Sequence, residues 1–136
     1  MKKTRKYSKK GFTLVELIVV LVILAVMAAM LVPALTGYIE EARKKKDYNA
    51  ASEVLTAAQA VVAEYYGSDT TPTVDEAKAY VNDADTGLAK IRTLTGMQST
   101  DLTGVTVNSI SGEYVITNIT VSIGTNSYTW DGTKWQ

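Results

Sequence analysis

The sequence contains no cysteine and no histidine. Without cysteine there is no disulfide framework and no thiolate metal or redox site. Without histidine the commonest metal ligand, general base and physiological pH switch are missing too. No glycine-rich phosphate loop of the P-loop type is present, so no nucleotide site is expected. Nor is there a recognisable catalytic carboxylate pair. These absences argue against an enzyme, and neither a cofactor nor a metal site is expected.

Net charge is also lacking: 14 basic and 14 acidic side chains cancel over 136 residues. The balance hides a segregation. Six basic residues (Lys2, Lys3, Arg5, Lys6, Lys9, Lys10) precede Gly11 with no acid among them, leaving eight basic against fourteen acidic side chains beyond it. An acidic remainder argues against a broad nucleic-acid or anionic-lipid surface.

What is present is a long apolar run. After "KKGF" the chain reads "TLVELIVVLVILAVMAAMLVPAL", with twenty-three uncharged residues from Leu17 to Ile39. This exceeds the ~18 residues that nominate a membrane-spanning helix. Lys and Arg number six before the run and four just after it (Arg43 to Lys46), which favours an orientation with the N-terminus inside. A secretory signal peptide has an apolar core of ~7–15 residues. Here the core is longer and carries a carboxylate, Glu16, near its start. A charge inside a spanning segment costs roughly 2.5–3.5 kcal/mol on insertion scales, so Glu16 demands a reason.

"KKGFTLVEL" resembles the prepilin signature of type IV pilins and pseudopilins. The resemblance covers roughly the first forty residues. It implies cleavage between Gly11 and Phe12 by a prepilin peptidase, and N-methylation of the new Phe12 terminus. It further implies that Glu16 and the Phe12 amine pair between neighbouring subunits during assembly, and that Pro33, with Gly37, marks a break in the helix where packed subunits locally melt. The residues agree: a cut before Phe12 creates a positive amine four residues from Glu16, on one helix face. Specifying register is the best-attested use of a buried ion pair.

Beyond Tyr38 the pattern becomes amphipathic. Glu40–Lys44 and Glu41–Lys45 stand at i,i+4 in the favourable order. Val54, Ala58, Val61 and Tyr65, with Leu55 and Val62, form one stripe. One helix is predicted from about Phe12 to Tyr66, its second half packing on a domain of its own chain. "GSDTTPT" reads as a loop, and Thr73 with Glu76 has capping-box spacing ahead of a short helix. "NDADTG" reads as a turn, fails the calcium-loop template, and precedes another helical turn or two in "LAKIRTL".

From Gly104 the chain turns to β character in "VTVNSI", "EYVITNITVSI" and "SYTW". Turns fall at Ser111–Gly112 and Gly124–Asn126, with an Asp-Gly hairpin signal at Asp131–Gly132. Val115, Ile119, Val121 and Ile123 are expected on the core face. Three or four antiparallel strands follow. "NIT" at Asn118 is a glycosylation sequon within a strand, and Tyr128, Trp130 and Trp135 are expected to pack on the sheet. Disulfide-bearing pilins close this region covalently; here sheet hydrogen bonds and packing must do so.

The expected fold is α+β, with a long N-terminal helix on a small antiparallel sheet. The expected divisions are a leader (1–11), an apolar membrane or filament-core helix (12–38) and a pilin-like domain (39–136). The expected role is a structural filament subunit, held in the bacterial cytoplasmic membrane as a precursor and then carried to the cell surface. Its partners are copies of itself, the prepilin peptidase and the assembly machinery. A pseudopilin of a type II secretion or DNA-uptake machine, or a membrane-tethered binding domain that never assembles, are the alternatives.

Overall fold

The computed structural model describes residues 10–68 and 72–136. The leader apart from its last two residues, and part of the "GSDTTPT" loop, lie outside the described residues. Helix α1 spans Leu14–Tyr66, α2 Val74–Asn82 and α3 Ala89–Thr95, and strands β1, β2 and β3 span Leu102–Ile110, Ile116–Ile123 and Asn126–Trp130. This is the α+β arrangement expected. The chain divides into two compact units, Met1–Ala42 and Arg43–Gln136.

In the first unit every described residue is exposed. Its apolar side chains run from Phe12, 87% exposed, to Ile39, 43% exposed. Burying one such side chain is worth roughly 1.5–3 kcal/mol, so a surface of this extent amounts to tens of kcal/mol that water does not supply. Among the described residues α1 is the one helix long and apolar enough to cross a membrane. It runs through Pro33 and Gly37 without interruption. Proline lacks the N–H that would bond four residues back, and the Pro33 carbonyl accepts the Thr36 hydroxyl at 2.9 Å.

The second unit holds the core. α1 contributes Ala51, Val54, Ala57, Ala58, Val61 and Val62; of the expected stripe, Leu55 and Tyr65 are only half-buried, and Ala51 and Ala57 join it. Val81 from α2, Ile91 from α3, and Leu102, Val107, Ile119 and Val121 from the sheet complete it, all fully buried. β1, β2 and β3 form an antiparallel meander. A single bridge between Trp130 and Trp135 adds the start of a fourth strand around Asp131–Gly132. Between β2 and β3 the loop is two residues, with Gly124 at φ 58°. That left-handed backbone suits glycine at the first loop position.

β2 differs from its simple alternation. It begins at Ile116, and Val115 is 49% exposed while Ile116 is buried. Between the pairs Ser109–Asn118 and Ile110–Ile116, β2 spends one residue more than β1, whereas between Val107–Ile119 and Ser109–Asn118 β1 spends the extra one. Each irregularity reverses the side-chain phase. Buried positions in β1 therefore step by three, two and three, from Leu102 to Val105, Val107 and Ile110.

Polar side chains make the joints. Gln59 on α1 donates to the Tyr114 carbonyl (2.7 Å) and accepts from the Ile116 N–H (2.8 Å), tying the β1–β2 loop to the helix. Asn82 does the same for β1, bonding both backbone groups of Val107. In that loop Tyr114 sits at φ 59°, stacks on Tyr66 and donates its hydroxyl to the Pro72 carbonyl.

The Thr73–Glu76 capping box is present in both directions, and those bonds from Thr73 lower the Glu76 pKa. "NDADTG" is more ordered than a plain turn. Asp83 accepts from the N–H groups of Asp85 and Thr86 and starts a π-helical turn, Ala84–Leu88. Gly87 is buried there, where a Cβ would overlap the Val81 carbonyl oxygen.

The chain terminus is closed without covalent bonds. Trp135 stacks near Trp130 with centroids 5.6 Å apart and donates its indole N–H to Ser52. Tyr128 packs edge-on to Tyr48 and donates its hydroxyl to Asp47 at 2.6 Å, which raises the Tyr128 pKa. Within the last turn the Asp131 carboxylate accepts from the Thr133 hydroxyl and from the N–H groups of Thr133 and Lys134. These bonds hold it well below the usual carboxylate range.

Candidate processing and assembly site

The residues singled out at the N-terminus lie together because helix α1 starts there. Lys10 to Thr13 have no regular structure, and Gly11 and Phe12 are exposed. The helix begins at Leu14, two residues past the Gly11–Phe12 bond. Its start is fixed by reciprocal hydrogen bonds: the Glu16 N–H donates to Thr13 Oγ1, and the Thr13 N–H donates to Glu16 Oε2, both at 3.2 Å. This is a capping box, which satisfies two of the orphan N–H groups at a helix N-terminus.

The assembly role expected of Glu16 does not include this cap. The signal was legible, since Thr13-x-x-Glu16 has the same spacing as Thr73-x-x-Glu76. A carboxylate in the first turn also meets the positive end of the helix dipole. Glu16 is the only charged side chain between Lys10 and Glu40.

Gly11 has a normal backbone, and a Cβ added to it would meet nothing within 4 Å. The fold places no demand for glycine at this position. Phe12, the one phenylalanine of the chain, is 87% exposed. An unstructured, exposed peptide bond ahead of a capped helix is what a peptidase can reach. Pro33 and Gly37 lie about two and a half and one and a half turns before the end of the first unit, apart from this cluster. A Cβ at Gly37 would also meet nothing within 4 Å. Among the described residues no group of His, Cys, Asp or Glu side chains is arranged to hold a metal.

Residues 6–32 match the family model of the prokaryotic N-terminal methylation motif. This motif is the signature of type IV prepilins, and the match takes in the last six residues before Phe12, the Gly11–Phe12 junction, the Glu16 cap and most of the apolar run. The chain thus carries the N-terminus of a type IV pilin-like precursor. Compared with curated proteins and with solved structures, the chain matches none. The matched residues all lie within the first unit.

Proposed function

We propose that the chain is the structural subunit of a type IV pilus-like filament. The precursor spans the cytoplasmic membrane once, N-terminus inside. A prepilin peptidase cuts between Gly11 and Phe12, and Phe12 is N-methylated. The helix then leaves the lipid and packs against the helices of other copies, so the same apolar surface is covered first by acyl chains and then by subunits. The domain from residue 39 onward coats the outside of the filament. Pro33 and Gly37 supply the place where α1 unwinds as neighbours pack, because proline already costs one helical hydrogen bond.

One observation carries the reading: an exposed Gly–Phe bond that the fold does not itself require stands directly ahead of a capped helix whose first half, to Ile39, is apolar, exposed throughout and carries a single carboxylate. In the uncut chain Glu16 bonds the Thr13 N–H. The cut adds a cationic amine within its reach, and a charge-assisted pair between copies replaces a local cap.

Two variants separate these roles. Glu16→Gln keeps a capping acceptor and removes the charge, whereas Glu16→Ala removes both. Breaking a buried ion pair costs about 3–5 kcal/mol, and each 1.4 kcal/mol is about tenfold. Both variants are expected to be processed at Gly11–Phe12 yet to lose filaments by roughly 100-fold or more in electron micrographs of sheared material. Normal filaments from Glu16→Gln would show that the charge has no part in assembly.

A further inference from the structure

The second unit has an exposed concavity of its own. Between α1 and α3 runs a groove floored by Ala57, Ala60 and Leu94. It adjoins a hollow of about 400 Å³ that shares Leu94 and reaches Tyr80, and a third hollow shares Tyr80 in turn. Leu94 is 59% exposed, an aliphatic side chain left to water beside the two alanines.

The walls are acidic. Glu53, Glu64, Glu76, Asp83 and Asp85 line the three hollows against Lys90 alone. Lys90 is already engaged, 2.6 Å from Glu64 and 5.5 Å from the Tyr80 ring centroid. A surface of this sign repels lipid phosphates and nucleic acid.

Among the described residues Arg43 to Lys46 is the one run of consecutive basic side chains. All four positions are exposed and spread around the helix at about 100° per residue. Of the acids beside it, Glu40 and Glu41 stand at i,i+4 to Lys44 and Lys45, and Asp47 accepts the Tyr128 hydroxyl. Both surfaces belong to the same rigid helix, about 20 Å apart at 1.5 Å per residue. One chain cannot fold its own basic turn into its own groove.

We propose that the groove between α1 and α3 receives the Arg43–Lys46 turn of a second copy of this chain. Leu94 is covered by the stems of the basic side chains, and Glu53, the one carboxylate lining this groove, faces their charges. Donor and acceptor surfaces differ, so the contact is heterologous and propagates from copy to copy instead of closing into a dimer. This rests on the filament reading and adds to it the surface by which the outer domains meet.

The absence of cysteine makes the test free of background. Full-length chains carrying both Leu94→Cys and Lys46→Cys are assembled and treated with a short bismaleimide. A ladder of covalent multimers is expected in filaments, absent from membrane-held precursor and from either single variant. Wild-type filaments alongside double-variant filaments that give no ladder overturn this inference and leave the filament reading standing. Absence of any wild-type filament defeats both.

A charge swap gives an independent readout that does not depend on the cysteine chain assembling. Glu53→Lys and Lys44→Glu should each cut filament yield at least tenfold, and the combination should restore it to within about threefold. No loss in the single variants, or loss without restoration, contradicts the proposal.

Discussion

Replacing Gln59 tests whether the β1–β2 loop is held by one side chain. Gln59→Met keeps nearly the same volume in a half-buried place while removing both bonds, so cavity effects stay small. The Tyr114 carbonyl and the Ile116 N–H then lose their partners. An unsatisfied buried group costs about 1–3 kcal/mol. Because the loop borders solvent, water recovers part of this, and a total near 2 kcal/mol is expected. For a unit of this size each kcal/mol moves the melting temperature by roughly 4–8 °C, so the variant should melt about 8–16 °C lower. Tryptophan fluorescence of the full chain in detergent reads this cleanly, since Trp130 and Trp135 both lie in the second unit. Gln59→Glu sharpens the test. At neutral pH it keeps the acceptor for Ile116 but sets a carboxylate against the Tyr114 carbonyl, and it should recover as the pH falls and the protonated acid donates. Melting of Gln59→Met within 2 °C of wild type would refute the clamp.

The strand irregularities predict an asymmetry between neighbours: Ile116→Ala should cost about 2–4 kcal/mol, while Val115→Ala stays within ~0.5 kcal/mol, as measured by urea unfolding. Equal costs would place both on one footing and contradict the bulged register. The Asp131 turn predicts a pH dependence. Its folded pKa is lowered, so its contribution is fully present above the unfolded value of about 3.9 and is lost as the pH falls toward the folded one. The melting-temperature gap between wild type and Asp131→Ala should therefore be constant from pH 5 to 8 and shrink below pH ~4. A gap that instead widened in acid would reverse the sign of this argument.

Much of the architecture is legible in the chain because it rests on local patterns. The apolar run, the Val54–Ala58–Val61 stripe, the Thr73–Glu76 box and the Gly124 turn each need only a few residues and one period. What escaped is non-local. Whether Val115 or Ile116 faces the core is decided by bulges, which depend on how β1 pairs with β2 and not on either strand alone. Gln59 and Asn82 look like ordinary polar helix positions until a strand is laid beside them. The π-helical turn needs the Val81 carbonyl packed on Gly87, and "NDADTG" shows only its turn-forming residues. The Thr13–Glu16 cap is a different case. Its spacing was plain, but the apolar context drew Glu16 toward assembly and away from the helix start it also serves.

The proposed function requires that the bond before Phe12 is cut and that the new terminus begins the filament helix. Mass spectrometry of the N-terminal peptide from surface filaments tests it most directly. The expected chain starts at Phe12 and carries a methyl group on its amine. A surface chain that retains Gly11, or one that starts beyond Pro33 after signal-peptide cleavage, would contradict it.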